Sequence, residues 1–236
     1  RRGEDREEVA ALDVHVAHEV LFAHRSKDQR QQDRAERELV LVHQPADVLK
    51  DEFNGEATAS KLARVREQME KEEAQYHIIS TLDDIAWILN VRGNDIPHVP
   101  VVLSFLVIGK EDAMWFVEEN ALSDAVKEMA AECGITIRPY EDVYAYAATI
   151  PEHSTVLLDK RKVNYRITNA LSETVHIVSK ANPSQLMKAI KNEIELENTR
   201  KAHLLDGIAV TKFMYWLKKN VGKIPMDEVS VSDYLQ

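Results

Sequence analysis

Cysteine occurs once in the 236 residues, as Cys133, so no intramolecular disulfide can form and no cysteine-ligated zinc site is available. A lone thiol fits a reducing compartment, and its position before Gly134 reads as a small buried hydrophobe. Glycine and proline number only seven each against 44% hydrophobic residues, which sets aside collagen-like and disordered chains. Positive charge is in deficit: 40 acidic against 30 basic side chains give a formal charge of -10. Neutralising phosphates needs clustered Lys and Arg, so the charge disfavours a general duplex-DNA or anionic-membrane binder and leaves room only for local basic patches. The longest apolar stretch, Val99 to Ile108, is interrupted by Pro100 and Ser104 and falls short of the roughly 18 residues that a spanning helix needs. It reads as a buried strand. The chain opens Arg1-Arg2-Gly3-Glu4-Asp5, without the apolar core of a secretory signal. The expectation is a cytoplasmic protein with no nucleic-acid and no membrane partner.

Composition changes near residue 48. Residues 1–47 hold seven Arg and one Lys with no Ile, Thr, Tyr or Asn, whereas residues 48–236 hold seven Arg and fifteen Lys. The first part, taken as an unassigned polar arm over 1–50, has Val9, Leu12, Val16 and Val20 at helical spacing and a mixed-charge run from Asp28 to Glu38. A different reading frame or a junction introduced in cloning would also explain the change. His15 and His18 share a helix face at a spacing of three, but a zincin helix needs four with a Glu between, and no third ligand is identifiable. They are read as surface histidines.

From Gly55 the pattern is regular. Leu62, Val65 and Met69 predict an amphipathic helix over Lys61 to Glu73, followed by a strand at Tyr76 to Ile79. Ser80 or Thr81 caps a helix over Leu82 to Leu89, with Asp83 and Asp84 at its positive end. Val101 to Ile108 and Ala113 to Val117 flank Gly109-Lys110-Glu111-Asp112 as an antiparallel hairpin. Ser123 caps a helix over Asp124 to Cys133. A strand at Ile135 to Arg138, a short helix at Tyr140 to Ala147 and strands at Thr155 to Leu158 and Val175 to Val178 follow. This alternation predicts a mixed sheet covered by helices, an α/β domain over 55–182. Leu186 to Ile190 is a helical turn, and Asn192 caps a long helix from Glu193 to Asn220 whose apolar face, including Leu205, Ile208, Phe213, Trp216 and Leu217, is too broad for a solvent-bridging rod. In the last segment, Ser230 and Ser232 are helix-start residues.

The run Ser80-Thr81-Leu82-Asp83-Asp84-Ile85-Ala86-Trp87-Ile88-Leu89-Asn90-Val91-Arg92-Gly93-Asn94-Asp95-Ile96, continued by Pro100 to Leu106, closely resembles the middle domain of the three-domain Xaa-Pro aminopeptidases. A second block, Leu186 to Asn192 with Glu195 to His203 and Phe213 to Leu217, resembles the entry into that family's catalytic domain. Two long blocks in the right order are more specific than one short motif. The resemblance implies a creatinase N-terminal-like α/β domain, a mixed sheet flanked by helices. The first helices of a truncated pita-bread α+β metallopeptidase domain would follow over 183–236. It implies hydrolysis of the bond between an N-terminal residue and a following proline, using two divalent cations, commonly manganese, that polarise the carbonyl and supply hydroxide. The family's two Asp, one His and two Glu ligands match no position of this chain, and its first domain is not recognisable in residues 1–50. The chain is therefore expected to be a fragment that binds no metal, has no catalytic residue of its own and is inactive alone. Proline-containing peptides are the expected substrates of the full-length enzyme, and a homo-oligomer is the expected assembly. The competing reading is a non-catalytic creatinase-N-like module for dimerisation or partner binding.

Arg92, Asp95 and His98 are the candidate substrate-binding residues, in a Gly- and Pro-punctuated loop where a guanidinium and a carboxylate can meet a peptide's charged ends. The alternative is an Arg92–Asp95 pair that merely holds the loop. His203 and Asp206 share a helix face but cannot complete a metal site. Trp87, Trp115 and Trp216 lie in apolar patterns and are assigned to packing.

Overall fold

The computed structural model describes residues 45–235. The expected helical arm through residue 44, with His15 and His18, lies outside the described residues.

In chain order the elements are β1 (Asp47–Val48), α1 (Asp51–Asn54), α2 (Thr58–Lys71), β2 (Tyr76–Ile79), α3 (Leu82–Leu89), β3 (Val91–Arg92), β4 (Ser104–Gly109) and β5 (Ala113–Val117). After a short 3₁₀ turn come α4 (Asp124–Glu132), β6 (Ile135–Arg138), α5 (Asp142–Thr149), β7 (Thr155–Leu158), α6 (Tyr165–Ala170) and β8 (His176–Ser179). Then α7 (Pro183–Ala189), α8 (Glu193–Asn220) and α9 (Glu228–Leu235) complete the chain.

Six strands form one mixed sheet in the order β6-β5-β4-β2-β7-β8. β4 and β5 make the expected hairpin, Phe105 facing Phe116, and β2 runs antiparallel to β4 but parallel to β7. The strands are short and rich in β-branched and aromatic residues, and alternate side chains enter opposite faces. Ile79, Leu106, Ile108 and Trp115 join one core with Leu62, Val65 and Met69 of α2, Ile85 and Ile88 of α3, and Val126 of α4. Ile78, Phe105, Val107 and Phe116 join a second core with Val143 of α5 and Ile167 of α6. A sheet buried on both faces explains the near-continuous apolar run of β4.

Several boundaries differ from the sequence reading. The run from Val99 does not enter the sheet until Ser104, because Val101 N donates to Val99 O in a turn, and Val99 and Leu103 are exposed. Arg92 is in β3 rather than in a loop: Asn90 takes a left-handed conformation (φ 53°), and the reversed chain pairs with Asp47 and Val48. Residues 46–48 of the expected arm thus belong by hydrogen bonding to the α/β domain, with Ala46 N donating to Ala121 O. α6 was not anticipated. Ser123 caps α4 as expected, accepting from Val126 N, whereas Thr81 is at the α3 cap position without a side-chain cap bond.

α8 begins with a capping box, Asn192 accepting from Glu195 N while Glu195 accepts from Asn192 N. It has no buried residue along its length. Phe213 and Trp216 are nevertheless not bare, because Tyr234 of α9 stacks on Trp216 at 3.8 Å between ring centroids. The exposed large apolar residues of α8 are Ile194, Leu204, Leu205, Ile208, Val210, Met214 and Tyr215.

Candidate functional site

Where α8 starts, its first turns meet α1, α3 and the segment 99–101 around a cleft of about 490 Å³. The sequence builds this joint from side chains far apart in the chain. Trp87 of α3, a buried member of the core, donates from Nε1 to Glu195 Oε1 at 3.1 Å. Asn192 donates to Asn54 O at 2.8 Å and Asn198 to Glu52 O at 3.0 Å, so the helix is tied to α1 as well. Gly55, at φ 64°, lies under the helix start; a Cβ there would sit 2.8 Å from Asn192 Oδ1.

Behind Trp87 lies Lys61, fully buried, which donates to Trp87 O at 3.0 Å and Asn90 Oδ1 at 2.6 Å with its ammonium 4.4 Å from the Trp87 ring centre. Burial pulls its pKa down to about 8, against the opposing pull of Glu195 and Glu56. Arg92 lines the same cleft. Its Nη1 donates to Ala86 O at 2.9 Å and Val91 O at 3.0 Å. Burial lowers its pKa while Glu195 raises it, and a guanidinium remains charged at neutral pH.

Next to the cleft, Lys188 of α7 contacts both Asp83 and Asp84. Burial opposes the charge on Lys188, but the hydrogen bonds to the two carboxylates outweigh it and raise the pKa. Asp84 is also met by Asn182 Nδ2 at 3.2 Å and by Thr81 Oγ1. The adjacent carboxylates Asp83 and Asp84 are therefore occupied by an ammonium. Among the described residues no three His, Cys, Asp or Glu side chains come together to hold a metal ion. The residues described do not fit a pair of cations.

The three candidates read from the sequence are not brought together as one constellation. Arg92 faces the cleft, but Asp95 accepts from Leu103 N at 2.7 Å and closes the 95–103 loop. The alternative Arg92–Asp95 pair does not form: Asp95 is used by Leu103, and Arg92 by two carbonyls. His98, at φ 63°, is exposed at the loop tip. His203 Nδ1 contacts Thr199 O one turn back on α8. Trp115 is buried, Trp87 is at the joint and Trp216 is in the α8–α9 stack. Cys133 is only partly buried, and burial together with Glu132 raises its thiol pKa. The sequence reading missed Lys61, Glu195 and Lys188; a Lys inside the apolar face of α2 was the one visible signal.

A two-sided α/β sheet joined through a polar contact to the start of a long helix defines a domain of the creatinase and prolidase type. The chain belongs to the creatinase/prolidase N-terminal domain family, whose model matches residues 38–195. Relatives include a probable Xaa-Pro aminopeptidase P of Neurospora crassa, 35% identical over 204 residues that cover 82% of this chain and 30% of the relative. Xaa-Pro aminopeptidase 1 of Dictyostelium discoideum is 35% identical over 186 residues, covering 79% of this chain and 29% of the relative. The crystal structure of an X-prolyl aminopeptidase from Caenorhabditis elegans, described as a cytosolic enzyme with a di-nuclear active site, superposes with TM-score 0.73 at 27% identity. It is matched over 83% of this chain and 33% of its own. The chain thus spans about a third of the length of these relatives.

Proposed function

We propose that this chain is part of a metal-dependent Xaa-Pro aminopeptidase, which removes the N-terminal residue preceding a proline. The observation that carries this is the extent of the Neurospora relative's match, 82% of the chain, beyond the residues of the domain model alone. In this reading the α/β domain over 55–182, extended by the 46–48 ribbon, precedes the start of the catalytic domain at 183–236. The metals of the whole enzyme are two divalent cations, with manganese as the expected ion, and their ligands lie outside the residues described here. The chain alone does not hydrolyse peptides. Its contribution is to shape the substrate entrance: Asp95 holds the 95–103 loop through Leu103 N, His98 is at the loop tip and Arg92 offers a fixed cation. Proline-containing peptides are the substrates and the cytoplasm is the location, with homo-oligomerisation through the exposed side of α8. Among the described residues no helix is long and apolar enough to cross a membrane.

The uncovered Leu204, Leu205 and Ile208 favour a second reading, a non-catalytic module that dimerises or binds a partner through α8. Reading the coding sequence past Gln236 separates the two. Continuation into a segment with two Asp, one His and two Glu ligands supports the peptidase, and a stop codon supports the module. In a protein that does continue, Arg92→Ala should raise KM for an Xaa-Pro-Pro peptide; unchanged kinetics with lowered stability would reduce Arg92 to a structural role.

A further inference from the structure

The charges around the cleft do not close on themselves. Glu56 is paired with Arg64 at 2.7 Å, Asp83 and Asp84 with Lys188, and Glu195 accepts from Trp87 Nε1 and Asn192 N. Arg92 is left without a carboxylate at ion-pair distance among the described residues. Its Nη1 is used by two backbone carbonyls, which fixes the plane of the guanidinium. Nε and Nη2, the parallel donors along the other edge, have no acceptor among the described residues. That edge is the fork that matches the two oxygens of a carboxylate. The same cleft is lined by Arg92 together with Phe53 and Val99, 49% and 44% exposed, so it combines a guanidinium with apolar surface. Its volume of about 490 Å³ is in the range of small-molecule sites.

We propose that this cleft binds a small organic carboxylate, its two oxygens on Arg92 Nε and Nη2 and its apolar body against Phe53 and Val99. The inference deepens the reading of Arg92 as a ligand-facing residue and stands apart from peptide hydrolysis. With Asp83 and Glu195 also in the wall, a monoanion is favoured over a dianion such as phosphate. The carboxylate belongs to a free acid or to the C-terminus of a short peptide.

The test is titration of the ¹⁵N-labelled chain while following the indole N–H signal of Trp87, assigned by its loss in Trp87→Phe. N-acetyl-leucine represents the free acid and Ala-Ala-Leu the peptide end; N-acetyl-leucinamide and inorganic phosphate are the controls. A saturable shift with either carboxylate, absent with the amide, is the expected result, and the stronger of the two identifies the source. Arg92→Lys keeps a charge without the fork and should weaken binding about tenfold. Phe53→Ser, at an exposed position, should weaken it several-fold with Arg92 intact. No saturable shift up to about 50 mM, beyond which affinity is negligible, overturns the proposal. Equal shifts with acid and amide, or tighter binding of phosphate, overturn it too. Each of these failures would leave hydrolysis by a longer protein to be judged by its own assay.

Discussion

Trp87 Nε1 donates to Glu195 Oε1 across 3.1 Å, joining α3 to the first turn of α8 over 108 residues of sequence. Because the same carboxylate closes the capping box of α8, one side chain both starts the helix and aims it. Trp87→Phe keeps the ring and removes the donor. It should lower unfolding free energy by about 1 to 2 kcal/mol and speed amide exchange selectively over residues 193–198. Uniform exchange changes across the chain would show that the bond does not set the joint.

Gly55→Ala probes the same contact from the other side. The left-handed φ of 64° and the 2.8 Å approach to Asn192 Oδ1 act together, so the substitution should cost about 2 kcal/mol or more. Gly134 is a control: its φ is also positive, at 67°, but an added Cβ meets nothing within 4 Å. Equal losses at the two positions in urea melts would mean that packing against Asn192 contributes nothing.

Much of this region was legible from local chemistry. Asn192 reads from the sequence as the α8 cap, where Glu195 completes a capping box, and the unbroken apolar run Phe105 to Ile108 reads as a buried strand. Short or non-local features were hidden. α6 has six residues with one fully buried side chain, Ile167, which is too little for a period, although Asn164 is its cap. The partners of Arg92 and Asp95 depend on the left-handed turn at Asn90 and on the pairing of β3 with residues 47–48. The Lys188–Asp84 contact spans 104 residues and leaves no local pattern.

Lys188→Met removes the ammonium from Asp84, which is 1% exposed, leaving a buried carboxylate with only Thr81 and Asn182. The expected loss is about 2 to 4 kcal/mol. Adding Asp84→Asn should recover part of it, since the uncompensated charge is then gone. A double variant no more stable than Lys188→Met would contradict this assignment.

His77 is fully buried, its Nδ1–H donating to Leu157 O while Nε2 has no partner among the described residues. Burial depresses its pKa to about 4, against the Leu157 bond and Asp84, which act to raise it. The unfolded chain therefore binds the proton first as pH falls, and stability should decline from about pH 6.5 towards pH 4, by up to roughly 3 kcal/mol, then level off. His77→Gln should flatten that slope. An unchanged slope in the variant would assign the acid sensitivity to other groups.

The exposed stripe of Leu204, Leu205 and Ile208 predicts self-association of the isolated chain or ready cleavage beyond residue 199. Light scattering with limited proteolysis decides this, and a monodisperse monomer resistant throughout α8 and α9 would contradict it.

The most direct measurement is release of the N-terminal residue from an Xaa-Pro-Pro peptide by this chain in excess manganese, with a full-length homologue as control. The prediction is release by the homologue and none by the chain, whose described residues bring no metal-ligand cluster together. Manganese-dependent release that persists through repurification would contradict it and return His15, His18 and His203 to consideration as ligands.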